Sequence, residues 1–255
     1  MRKFIILLRH QIWLMLISPS TYFAAFLFLS LMAGIFVLSV REISVTAGKT
    51  SPVESCLTLF WVPVLFMVPL LTMRSLSEEL RRGTLSSLMT TAVSAWQIVL
   101  SKFMASYIFY CLLWLATLLY AYIVCWYLPH ATSDDMFVVS QLFTGYGFIF
   151  LTGSMYIAVG IFASSLTRST LVAGMLSFGM LFFLVLGAQI LGSLYTIEDD
   201  SISTMLPTLV DYLHTFKQLE RYNNSLVDTR SFFFYISSTI MLLAFTSLIT
   251  ESKNR

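Results

Sequence analysis

The sequence predicts an all-α membrane protein: six transmembrane helices, preceded by an N-terminal helix lying on the membrane surface. Three observations carry that prediction. The chain is 58% apolar and only 11% charged, where a soluble domain runs near a quarter charged. Its mean hydropathy is +0.83. Apolar stretches near the roughly 20 residues that a spanning helix needs occur at 22–40, 56–73, 98–127, 138–164, 171–195 and 232–250. The whole chain, 1–255, reads as a single transmembrane domain.

Each element has its own grounds. Residues 1–20 place Arg2, Lys3 and Arg9 among apolar side chains, with Trp13 suited to the aromatic belt. That pattern fits a helix in the headgroup region. A cleaved signal peptide fits less well, because Arg9, His10 and Gln11 interrupt the apolar run and no small-residue cleavage site follows. Ser18 and Pro19 set the turn into the first span, since proline suits the first position of a helix. The second span is short and contains Pro63 and Pro69, which predict a kinked or broken helix. The third and fourth are long enough to tilt or to project beyond the bilayer.

Lysine and arginine orient the chain. With both termini in the cytoplasm, Arg2, Lys3, Arg9, Arg74, Arg81, Arg82, Lys102, Arg168, Lys253 and Arg255 lie inside. Arg41, Lys49, Lys217, Arg221 and Arg230 lie outside. Arg74 and Lys102 then sit at the cytoplasmic ends of spans, where they can snorkel to the headgroups.

The inner connection, 74–97, is polar but helically patterned. Leu76, Leu80, Leu85, Leu88 and Met89 form one apolar stripe. Glu78 precedes Arg82 by four residues, the favourable order for an ion pair along a helix. The plain reading of Glu78, Glu79, Arg81 and Arg82 is a solvated helix face. Gly83 is placed to end a helical turn. The outer connection, 196–231, is too polar to span and too apolar for a free linker, so short helices dipping into the outer interface are expected there.

Several function classes are excluded. A net charge of +2 gives no case for a nucleic-acid partner. Cys56, Cys111 and Cys125 are isolated, and His10, His130 and His214 are far apart, so no metal site is expected. The spans are nearly free of ionisable side chains, which argues against a proton- or sodium-driven transporter. Gly48-Lys49-Thr50 resembles the end of a phosphate loop, but Ile43 stands where that loop requires glycine. No catalytic residue and no bound cofactor is expected in this chain.

Several motifs in order narrow the class. Ser18-Pro19-Ser20-Thr21-Tyr22 leads into the first span, and Pro69-Leu70-Leu71-Thr72-Met73-Arg74 closes the second. Glu78-Glu79, Gly83-Thr84-Leu85, Leu88-Met89-Thr90 and Lys102 follow. Gly160-Ile161-Phe162-Ala163-Ser164-Ser165-Leu166-Thr167 ends the fourth span. Over nearly its whole length the chain resembles the permease subunits of ABC-2 type transporters, particularly the gliding-motility-associated and nitrous-oxide-accessory branch. Ser86, Ala92 and Thr170 stand where that family often has Glu, Pro and Gln.

The resemblance implies a type V exporter-like fold and a half-transporter. Two such subunits, identical or paralogous, would pair in the inner membrane, surrounded by lipid. Two cytoplasmic ABC ATPase subunits would dock beneath, and those partners would bind ATP and Mg. The helix over 76–95 resembles a coupling helix, which makes Glu78, Glu79, Arg81, Arg82, Gly83 and Thr84 the candidate ATPase-coupling residues. The N-terminal helix would lie against it, and 196–231 would form re-entrant outer helices. A scaffold that couples an ATPase to an outer partner without moving a solute is the alternative. A channel or secondary transporter fits less well. The substrate and its binding residues are not specified.

Overall fold

The computed structural model describes residues 2–46, 59–84, 94–127, 139–195 and 229–253. Among them are eight helices. In chain order these are α1 (Arg2–Ile17), α2 (Pro19–Thr46), α3 (Trp61–Thr72), α4 (Ser77–Arg82), α5 (Ala95–Tyr127), α6 (Val139–Leu166), α7 (Thr170–Tyr195) and α8 (Thr229–Ser252). Five of them, α2, α5, α6, α7 and α8, are long and apolar enough to cross a membrane.

The chain turns from α1 into α2 at a single residue. The Ser18 amide donates to the Leu14 and Met15 carbonyls, and Ser18 Oγ bonds Ser20 Oγ at 2.8 Å. Pro19 opens α2, where its missing N–H costs nothing because a first-turn amide has no partner within the helix. Residues 19 and 20 therefore belong to the first long helix rather than to the surface helix expected over 1–20.

The stretch expected to span at 56–73 is represented by α3, which has 12 residues. At 1.5 Å per residue that is about 18 Å, short of a hydrocarbon core of about 30 Å. Pro63 lies in its first turn and Pro69 in its interior. The Pro69 carbonyl still accepts the Met73 amide at 2.8 Å, so the helix continues past the proline. The helix expected over 76–95 is shorter in its described part: α4 ends at Gly83, and residues 85–93 lie outside the described residues. So do 47–58, 128–138 and 196–228, which hold the expected outer helices. Residues 229–231 are already part of α8, and α5 starts three residues before the expected span.

The core forms around α6. Of its apolar window 72% is buried, against 22% for the corresponding windows of α2, α7 and α8. It packs against α8, α7, α5, α3 and α4. Close helix approach depends on two of its glycines. A Cβ at Gly153 would stand 2.3 Å from the Tyr110 ring, and one at Gly160 would stand 2.3 Å from Thr72 Oγ1. Small residues allow this backbone-to-side-chain proximity between spans. An aromatic group fills the centre: Trp114 is fully buried and meets Phe28 edge-on at 5.2 Å and Tyr146 edge-on at 6.0 Å.

The buried hydroxyls are mostly satisfied locally. Thr152, Thr239, Thr246 and Thr250 each donate to a carbonyl four residues earlier. Tyr107, Tyr110 and Tyr120 donate to carbonyls of neighbouring helices instead. A hydroxyl bonded in this way can sit in an apolar interior at little cost. By contrast, large apolar side chains cover the outer faces of α7 and α8, with Met175, Phe183 and Phe233 all more than two-thirds exposed. Such faces belong in lipid.

Candidate functional site

Among the described residues, a cluster of charged side chains, Arg74, Glu78, Glu79, Arg81, Arg82 and Lys102, surrounds the elbow that joins α3 to α4. The chain leaves α3 through a turn at 73–76, in which Ser75 N–H donates to the Thr72 carbonyl at 3.0 Å. Leu76 is fully buried, Ser77 is buried, and Leu80 packs against the core. This inner edge of α4 follows the apolar stripe read from the sequence.

Ser164, near the end of α6, clamps the elbow. Its Oγ accepts the Leu76 and Ser77 amides, each at 3.0 Å, and donates to the Met73 carbonyl at 3.2 Å. Those two amides belong to the helix start, where no intrahelical partner exists. Ser77 Oγ also donates to the Met73 carbonyl. Ser164 is fully buried. The motif around Ser164 gives no sign of this task, because its partners lie 87 to 91 residues away in the chain.

Lys102 holds the elbow from the other side. It was expected to snorkel, yet its side chain is 4% exposed. Its Nζ donates to Glu79 Oε1 at 2.7 Å and to the Ser75 carbonyl at 2.5 Å. A carboxylate and a carbonyl facing it across the helix pair replace the headgroups as partners for the ammonium. Removing either member of such a buried pair strands the other charge.

The remaining charges of α4 face outward. Arg82 Nη2 pairs with Glu78 Oε1 at 2.5 Å, the contact that their spacing predicted. The pair is open to solvent, so it contributes only about 0.3–0.5 kcal/mol. Arg81, Arg82, Gly83 and Thr84 are all exposed. Gly83 adopts φ 70°, a left-handed cap that a side chain would strain. Glu78 and Glu79, adjacent in sequence and both partly buried, have different partners: Glu79 bonds the enclosed Lys102, while Glu78 bonds the exposed Arg82.

The interfacial candidates lie next to this elbow. Helix α1 packs along α5 and touches α2, with Lys3 and Arg9 exposed. Its apolar Ile5, Ile6, Trp13 and Ile17 are exposed as well, as suits a helix lying in lipid headgroups. Arg2 is helical. At the same end of the bundle Lys253 donates to the Ser165 and Leu166 carbonyls at 2.7 and 2.9 Å, capping α6. Burial and the nearby Arg168 lower its pKa below the usual lysine value. Among the described residues no group of His, Cys, Asp or Glu is arranged to hold a metal.

These features define a multi-pass helical membrane protein with, among its described residues, a clamped, charged elbow at one end of the bundle. The sequence profile of the ABC-2 family transporter proteins matches residues 18–250, and the chain belongs to that family. Members of the family are membrane transport components, not themselves catalytic, and they generally work with an ABC ATPase. No curated protein matches the chain.

Proposed function

We propose that this chain is the membrane-spanning permease subunit of an ATP-driven exporter, and that its ATPase docks on the outer face of α4. In this reading two permease subunits pair in the inner membrane, and both termini are cytoplasmic. A cytoplasmic ATPase dimer binds ATP and Mg and supplies the energy. Within the family, the order of motifs favours the gliding-motility-associated and nitrous-oxide-accessory branch.

The observation that carries the docking site is the division of labour on α4. One edge is fixed to α6 by Ser164 and to α5 by Lys102, while Arg81, Arg82 and Thr84 remain exposed and the half-buried Glu78 pairs with Arg82. A push on that exposed face reaches two spans through hydrogen bonds and packed side chains. Transmission as a rigid-body motion requires such a connection.

Co-purification in mild detergent tests the reading. Tagged protein is expected to recover a soluble ATPase in equal ratio. Glu78→Lys and Arg81→Glu together are expected to cut that recovery at least about tenfold, a loss of ~1.4 kcal/mol, with the permease still folded. Recovery of the ATPase undiminished by this double change would move the docking site elsewhere. Recovery of none from wild type, under conditions that keep the complex intact, would remove the ATP-driven reading.

A further inference from the structure

A cavity of about 520 Å³ lies between α1, the start of α2, the elbow and α5. Its volume is within the roughly 300–1,000 Å³ of small-molecule sites. Three cationic side chains line it, Arg74, Arg82 and Lys102, against two carboxylates, Glu78 and Glu79. Both carboxylates are engaged: Glu78 bonds Arg82 at 2.5 Å, and Glu79 bonds the enclosed Lys102 at 2.7 Å. Arg74 is left over. It is exposed, and among the described residues no carboxylate or carbonyl meets its guanidinium. The lining therefore carries an unbalanced positive charge at its open edge.

The neutral polar groups beside Arg74 add donors. His10, Gln11 and Thr84 line the same cavity and keep accessible surface, and each can offer an N–H or O–H. A group entering here meets a guanidinium and several donors, and no carboxylate that lacks its own cation. That setting suits an anion with several acceptor oxygens, and the planar fork of arginine bonds phosphate oxygens two at a time. The wall indicates where the phosphate comes from. Leu14 and Met15 of α1 line the cavity, and Leu14 is 47% exposed. Ile17, nearly one turn further, is 62% exposed and extends that apolar surface along the helix. An acyl chain can follow this surface, and a soluble phosphate has no use for it.

We propose that this cavity seats the phosphate of an anionic phospholipid, one whose headgroup carries no ammonium. The Arg74 guanidinium binds the phosphate, and Leu14 and Ile17 meet the first part of an acyl chain. An ammonium on the same headgroup would bring a further cation to a lining already in positive excess. The site rests on α1 lying in the headgroup layer; nothing in it requires the ATPase.

Native mass spectrometry of the full-length chain, with co-purifying subunits retained, tests it. Phosphatidylglycerol, phosphatidylethanolamine and phosphatidylcholine of identical acyl chains are titrated separately. Soluble glycerophosphoglycerol, the first headgroup without its acyl chains, is added as a competitor. Phosphatidylglycerol is expected to bind about tenfold more tightly than either zwitterionic lipid, the scale of one hydrogen bond to a charged group. Arg74→Ala is expected to abolish that preference. Arg74→Lys, which keeps the charge and loses the fork, is expected to keep part of it. Arg9→Ala is the comparison, because Arg9 is also exposed on α1 but lies outside the cavity lining; the preference is expected to survive there. An equal loss in Arg9→Ala and Arg74→Ala would mean that diffuse surface charge attracts the lipid, and would overturn the proposal. So would equal binding of the three lipids by wild type, or a preference that survives Arg74→Ala. Phosphatidylglycerol adducts confined to chains without a bound partner subunit would give Arg74 to that partner and overturn the lipid site as well. Full displacement by millimolar glycerophosphoglycerol would overturn the lipid as the source and leave a soluble phosphate ester.

Discussion

The Glu79–Lys102 pair is where reading by residue type misleads most. Both side chains look like surface charges, one on a polar helix and the other at the end of a span, and both turn inward. Burial decides what they do. With Lys102 at 4% exposure and Glu79 at 19%, deleting one partner leaves the other charged and enclosed. Lys102→Met is therefore expected to destabilise the protein by on the order of 3 kcal/mol, and Glu79→Gln by less, because the amide still offers an oxygen. The double variant should lose less than the sum of the two, which thermal unfolding in detergent would measure as coupling between them. Additive losses would mean that the pair does not act as a pair. The partnership was hidden in the sequence because nothing there says that the Ser75 carbonyl stands opposite position 102. Glu78–Arg82 was legible, because its spacing lies within one helix and needs no tertiary knowledge.

The long helices were legible as elements, since an unbroken apolar run of twenty residues has few alternatives. The grip between α6 and the α3–α4 elbow was not, because it depends on which faces meet. Two substitutions probe that grip. Ser164→Ala strands the Leu76 and Ser77 amides together, at about 1–3 kcal/mol for each buried donor left open. It is expected to lower the unfolding temperature and, in the assembled complex, to weaken the link between substrate and ATPase rate. Gly160→Ala forces a methyl into Thr72, which is itself fully buried and tied to the Val68 carbonyl at 2.8 Å. Overpacking there is expected to cost about 1–3 kcal/mol. Gly179→Ala on α7 meets nothing within 4 Å and serves as the comparison, with little change expected in the stability of a single subunit. A Gly160→Ala protein as stable as Gly179→Ala would show that α3 and α6 are not closely apposed.

Taken as a whole, the molecule poses a question of parity. The α1–α2 turn shares a cavity with the elbow, the elbow is clamped to the end of α6, and that same end is capped by Lys253. The start of α2 and the end of α8 thus lie at one end of the bundle. A chain that starts and finishes on one side of a membrane crosses it an even number of times. Five of the described helices are long enough to cross, and in the proposed topology the short, proline-bearing α3 belongs to the sixth crossing that an even number requires. The positive-inside pattern points the same way, with Arg74, Lys102, Arg168 and Lys253 on the shared side. Single cysteines in a chain whose Cys56, Cys111 and Cys125 are changed to serine test this with a membrane-impermeant maleimide. Lys3→Cys and Ser252→Cys are expected to react only after the membrane is opened, and Asp134→Cys to react in intact spheroplasts. Labelling of positions 3 and 252 from opposite sides would make the number of crossings odd and exclude α3 as a span. Labelling of both from outside would keep six crossings but turn the elbow away from cytoplasmic ATP, and the docking site on α4 would fall with it.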